Sequence, residues 1–167
     1  HVDRLYAGTA CWEGLPGEVI ARVHADPHSV PLSEFPDAET LQSNQYLVMR
    51  NGSLSALAFH NLRKGMLERV TKKTAYGIEP KNAEQFFALD ALMRPEIRLV
   101  TLTGRAGTGK TLLALAAALE QRREYHRIFL ARPVVPLGNR EIGFLPGDVK
   151  SKMDPYMQPL WDNLAVI

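Results

Sequence analysis

The chain has 167 residues, 46% of them hydrophobic and 23% charged, with a formal net charge of +2. That balance excludes a disordered tail, fits one domain or two small ones, and leaves nucleic-acid binding permitted but not indicated. A single cysteine, Cys11, excludes an internal disulfide and a cysteine-built metal cluster, and points to a reducing, cytoplasmic compartment.

Residues 5–70 read as strand and turn. Gly17-Glu-Val-Ile-Ala-Arg-Val-His24 is β-branched and alternating, which predicts a half-buried strand. A loop rich in Pro and Asp follows, from Asp26 to Asp37. Asn51-Gly52-Ser53 then separates Gln45–Arg50 from Leu54–Phe59, and Asn-Gly between apolar runs predicts a β-hairpin. Gly65–Thr71 supplies one more short strand. Tyr6, Trp12 and Tyr46 would form a stacking platform if this half were OB-like, but aromatic residues of a core are the favoured reading.

From Thr74 the pattern changes. Asn82 is placed to cap a helix reaching about Met93, with Ala83, Phe86, Leu89 and Met93 on one face and Pro95 beyond its end. Ile97–Thr103 reads as a buried strand, Gly104–Thr111 as a loop, Thr111–Arg122 as a helix and Arg127–Ala131 as a second buried strand. This order predicts a βαβ unit and a parallel sheet. A loop rich in Gly and Pro follows Pro133, and then a helix over about Val149–Asn163, interrupted near Pro155 and Pro159. The longest apolar run, Leu112–Leu119, is too short to cross a bilayer. No signal peptide is seen, and the first residue, His1, suggests a piece of a longer protein or a tag remnant. The five histidines lack zinc-ligand spacing, so no protein-bound transition metal is expected.

Gly104-Arg105-Ala106-Gly107-Thr108-Gly109-Lys110-Thr111 fits the pattern G-x-x-x-x-G-K-[ST]. Glycines let the backbone turn sharply and aim its N–H groups at phosphate oxygens, and the following helix adds its positive end. Lys110 is expected at the β- and γ-phosphates and the Thr111 hydroxyl at Mg²⁺, with Leu112 in the first turn beside them. The expected ligand is therefore a nucleoside triphosphate with magnesium. A chance glycine-rich turn is the alternative, and the flanking strand and helix argue against it. Upstream, the Gln85 amide offers a donor and an acceptor to an adenine edge, and Tyr76 offers a ring to stack on the base. Taken alone, a glutamine on a helix is more often solvated surface.

Three separated segments carry a family resemblance. They are Gly77–Gln85, Leu99–Ala116, and the block of Arg132–Gly138 with Gly143–Lys150, extended by Asp154–Tyr156 and Pro159–Asp162. In that order they resemble the PhoH family of ATPases, cousins of the superfamily 1 helicases, over about residues 74–164. The resemblance implies an adenine-reading Q motif at Gln85, a Walker A loop, and a truncated RecA-like core in residues 74–167 preceded by a small β-rich subdomain in residues 1–73. It also implies ATP as ligand, ATP hydrolysis coupled to RNA handling, single-stranded RNA as partner and a hexameric assembly. Asn44–Met49 and Ser55–Ala58 resemble, more weakly, the segment joining a PIN nuclease domain to the ATPase in PIN–PhoH proteins; no nuclease residue is assigned.

Arg132 follows the second expected strand, where helicase-like ATPases touch nucleic acid. It is equally suited to pairing with a carboxylate inside the fold. Gly143–Gly147 reads as a rigid turn with Phe144 and Leu145 packed inward, in preference to a substrate loop. Lys150 and Lys152 read as a solvated face. No apolar strand ending in Asp-Glu follows Arg132, so nucleotide binding with weak or absent turnover is expected of these residues. A P-loop kinase is the rival enzyme reading, although no acceptor pocket or arginine-rich lid is visible. A nucleotide-gated RNA-binding module is the non-enzyme alternative.

Overall fold

The computed structural model describes residues 6–25, 27–35, 38–131 and 149–167. It is a mixed α/β protein with two compact units, one of His1–Lys73 with Pro80–Asp90 and one of Thr74–Glu79 with Ala91–Ile167.

The first unit is built on a five-stranded sheet. Its strands are β1 (Thr9–Glu13), β2 (Ser29–Pro31), β3 (Tyr46–Asn51), β4 (Leu54–Asn61) and β5 (Met66–Arg69). The spatial order is β1-β3-β4-β5-β2, an open sheet with β1 and β2 at its edges. The expected hairpin is the β3–β4 pair, antiparallel, with Asn51 opposite Leu54 and Gly52 at a φ of 56° in the turn. The expected strand within Gly65–Thr71 is β5, antiparallel to β4, while β1 runs parallel to β3.

Residues 17–24 are a helix and not the expected strand: α1 spans Gly17–His24. Over eight residues the two periods are hard to tell apart, and burial decides between them. Ile20 and Val23 are fully buried and Val19 packs beside them, a spacing that shares one face of a helix but opposite faces of a strand. Pro16 precedes the first turn, where its missing N–H costs nothing. The helix covers one face of the sheet, closing a core of Leu15, Val30, Phe35, Leu47, Met49, Ala56, Ala58 and Leu67.

The other face of the sheet carries Tyr46 and Phe59, directly opposite each other with ring centroids 5.0 Å apart. Phe87 packs on Tyr46 at 4.9 Å from α2 (Ala83–Leu92). Asp90 on the same helix is 2% exposed, and there it accepts hydrogen bonds from the Tyr46 hydroxyl at 2.9 Å and from Lys73 Nζ at 2.8 Å. On α2, Phe87, Asp90 and Ala91 share a buried face and Leu89 is buried on another side, whereas Phe86 and Met93, expected on one face with Leu89, are half-buried. Of the three aromatics considered for a platform, Tyr46 belongs to this core, Trp12 packs 6.1 Å from Phe35, and Tyr6 is exposed. Asn82 caps α2 as expected, its Oδ1 accepting from the Gln85 N–H at 2.9 Å.

In the second unit, α3 spans Lys110–Glu120 and buries Leu113, Leu115, Ala116 and Ala117. Helix α4 spans Val149–Val166 and runs on through Pro155 and Pro159, where an interruption was expected; each proline removes one backbone donor without ending the helix. Residues 97–103 and 127–131, expected as buried parallel strands, form no strand ladder among the described residues. Parallel strands need cover on both faces, and among the described residues Leu99 is 83% and Phe129 87% exposed. Val100 and Leu102 do turn inward, lining a cavity of about 550 Å³ with Ala114 of α3 and Leu160 of α4, so the segment keeps a strand's alternation on one side only. Among the described residues, no helix is long and apolar enough to cross a membrane.

Candidate functional site

The site is assembled where residues 104–109 enter α3. Three glycines there hold positive φ, Gly104 at 150°, Gly107 at 76° and Gly109 at 82°. Gly109 is the last residue before the helix and lies in the left-handed region, which a side chain disfavours. A Cβ on Gly104 would stand 3.4 Å from Thr108 Oγ1, so the loop closes tightly on itself. The Leu113 N–H already reaches the Gly109 carbonyl at 2.9 Å, which leaves the first-turn N–H groups of α3 at the loop as an anion cradle.

Lys110 folds back over this cradle. Its Nζ donates to the carbonyls of Gly104 at 2.9 Å and Arg105 at 2.6 Å, and to Thr108 Oγ1 at 3.3 Å. Those three bonds use all three ammonium protons. The longest, to Thr108, is the one an incoming phosphate oxygen displaces most cheaply. Thr108 Oγ1 in turn donates to the Arg105 carbonyl at 2.9 Å, so the loop is cross-linked from within. Lys110 and Thr111 also border the cavity described above. The residues present fit a triphosphate with magnesium: a glycine-built cradle, one ammonium over it, and a hydroxyl at the first helical turn.

The structure brings Gly104, Arg105, Ala106, Gly107, Thr108, Gly109, Lys110, Thr111 and Leu112 together in one continuous loop and helix start. Tyr76 is placed elsewhere in the same unit. It lies at a φ of 48° beside Gly77 at 82°, in a turn closed by Ala75 and Ile78, each accepting the other's N–H. Its own N–H donates to Glu120 Oε2 at 2.6 Å, and the Arg122 guanidinium stands 4.9 Å from its ring centroid. Glu120 ends α3, whose Lys110 begins it, and ten residues of helical rise separate the two ends by about 15 Å. Tyr76 is thus not gathered at the phosphate loop.

Gln85 belongs to the first unit. Its Oε1 accepts from the Lys81 N–H at 2.8 Å while its own N–H donates to Asn82 Oδ1, so Gln85 ties the residue before the cap to the first turn of α2. Gln85 therefore has a structural role that its sequence context did not disclose. Arg132, Gly143–Gly147 and the rest of 132–148 lie outside the described residues, as do the side chains of Lys150 and Lys152. Sequence reasoning missed the contacts at the far end of α3. Glu120 and Arg122 carry no motif that marks them in the sequence.

The PhoH-like protein family matches residues 77–167 of the chain. Protein PhoH2 of Bacillus subtilis is 46% identical over 132 residues, covering 74% of this chain and 30% of that protein. Protein PhoH2 of Mycolicibacterium smegmatis is 33% identical over 161 residues, covering 92% of this chain and 36% of that protein. A PhoH-like protein of Bacillus subtilis is 42% identical over 105 residues, 60% of this chain and 32% of its own length. The chain thus spans about a third of the length of these curated relatives. No solved structure matches it.

Proposed function

Because the chain belongs to the PhoH-like protein family, we propose that it is the nucleotide-gripping part of a P-loop ATPase that uses ATP and magnesium to act on RNA. One observation carries this reading: the Lys110 ammonium lies over a glycine-built loop at the start of α3. In the proposed complex the first-turn N–H groups bind phosphate oxygens, and Lys110 exchanges its bond to Thr108 for one to the β- and γ-phosphates. The Thr111 hydroxyl holds magnesium, which when bound supplies further positive charge to the phosphates.

Gln85 is proposed to select adenine, as the family resemblance implies, in addition to capping α2. The second unit is proposed to be the beginning of a RecA-like core. Single-stranded RNA as substrate, a contact through Arg132, a hexameric assembly, a preceding PIN domain and a cytoplasmic location belong to the same family reading. Binding of nucleotide in preference to its turnover is proposed for these 167 residues.

Gln85→Ala tests base selection. It should lower the ratio of ATP to GTP affinity while leaving inorganic triphosphate binding unchanged. An unchanged ratio would remove Gln85 from base recognition. Steady phosphate release by the chain alone would overturn the weak-turnover claim.

A further inference from the structure

Three consecutive side chains, the last of α3 and the first two of the 3-10 turn that follows it, each grip the segment of chain that precedes the phosphate loop. Glu120 accepts the Tyr76 N–H at 2.6 Å. Gln121 Nε2 donates to the Leu92 carbonyl at 3.0 Å and to the Ala117 carbonyl one turn back at 3.0 Å. Arg122 covers the Tyr76 ring at 4.9 Å while Nη1 caps the Leu119 carbonyl at 3.1 Å. All of these residues lie in the second unit.

Two features make this more than a solvated helix end. Tyr76 is a bulky residue at a φ of 48°, a conformation that persists only where its surroundings hold it. The bond that holds it is short and charge-assisted, from a carboxylate to a backbone N–H. Furthermore, α3 is a single rigid element joining this end to Lys110 at the other. A helix fixed at one end by three contacts cannot slide or rotate freely at its opposite end, so the clamp sets where Lys110 and the first-turn N–H groups point.

We propose that Glu120, supported by Arg122, is a positioning residue for the phosphate loop, acting through α3 from about 15 Å away. This inference rests on the reading of residues 104–111 as a triphosphate site. Glu120 touches neither phosphate nor base in this scheme. Its effect is on the pose of the cradle, and pre-set donors bind an anion more tightly than donors that must first be ordered. Coupling of this kind is reciprocal: if the intact clamp favours ATP, bound ATP favours the intact clamp by the same factor.

The test uses the 167-residue chain with ATP and magnesium, comparing wild type, Lys110→Ala, Glu120→Ala and Glu120→Gln. The readouts are ATP affinity by calorimetry and hydrogen exchange at the Tyr76 amide by NMR. Saturating ATP should slow Tyr76 exchange about tenfold in the wild type, and Glu120→Ala should weaken ATP binding by about the same factor. Glu120→Gln should recover most of that affinity, because its amide oxygen still accepts the Tyr76 N–H. If Lys110→Ala abolishes ATP binding while ATP leaves Tyr76 exchange unchanged, the positioning role is wrong and the triphosphate site stands. If Lys110→Ala binds ATP normally, the triphosphate reading itself falls, and this inference with it. Should Glu120→Ala fail to fold, Tyr76 exchange in the wild type decides the matter alone.

Discussion

Replacing Gly104 by alanine asks whether the loop must keep its observed backbone in order to bind. Gly104 sits at a φ of 150°, where an L side chain is strained, and the new Cβ would lie 3.4 Å from Thr108 Oγ1. That contact is tight but tolerable, so the backbone dominates the cost. Holding a residue with a side chain in a sparsely populated region costs about 1–3 kcal/mol. Gly104 is exposed, so the loop relaxes to another shape in the free protein and the cost reappears on binding, when the cradle must be re-formed. At about 1.4 kcal/mol per factor of ten, ATP affinity should weaken between about 5-fold and 150-fold. The unfolding midpoint should move little. Isothermal calorimetry with ATP and magnesium reads the first quantity and urea titration the second. Gly107→Ala serves as comparator: its φ is 76° and nothing lies within 4 Å of the new methyl, so its effect should fall toward the lower bound. A Gly104→Ala protein that binds ATP within twofold of wild type would refute the claim that this backbone is required.

Three further outcomes follow from the first unit. Ile20→Ala and Val23→Ala should each destabilise by about 1–4 kcal/mol in urea unfolding, because both side chains are fully buried; if only one of them matters, residues 17–24 do not pack as a helix. Tyr46→Phe removes the hydroxyl that donates to the buried Asp90 carboxylate and should cost about 1–3 kcal/mol; a loss under about 0.5 kcal/mol would show that this bond is dispensable. Tyr6, exposed over about half its surface and donating to the Asn44 carbonyl at 2.8 Å, has its pKa raised from the usual 10.0 by desolvation of its covered side. Its neutral form is the one the fold favours, so this stabilisation is complete below pH 10 and fades as pH rises through the folded-state value. Tyr6→Phe should flatten the alkaline limb of the stability profile, and an identical limb in both proteins would contradict that assignment.

How much of this was legible in the sequence depended on whether the signal was local. The β3–β4 hairpin could be read because Asn51-Gly52 dictates its own turn. The glycine turn of residues 104–109 and helix α3 could be read because glycine spacing, Lys110 and the apolar run from Leu112 all lie within one short stretch. Helix α1 reads as a strand because Val19, Ala21 and Val23 alternate over so few residues, while Ile20 with Val23 fits only the helical period, and burial against the sheet separates the two. The parallel pairing of β1 with β3 joins Thr9 to Tyr46 across a long separation and leaves no local trace. Residues 97–103 and 127–131 carry the composition of buried parallel strands, but composition expresses what a strand needs around it and not whether its neighbours are present. Tyr76 illustrates the same limit at the site. Its place beside a base-reading motif suggests stacking, and its contacts with Glu120 and Arg122 lie far along the chain on residues that carry no motif.

The central claim is that residues 104–111 grip a triphosphate through Lys110, and titration of the wild-type chain and Lys110→Ala with ATP and magnesium tests it most directly. The account predicts saturable binding by the wild type that Lys110→Ala abolishes, with both proteins unfolding at the same urea concentration. Equal ATP affinity in the two would contradict it.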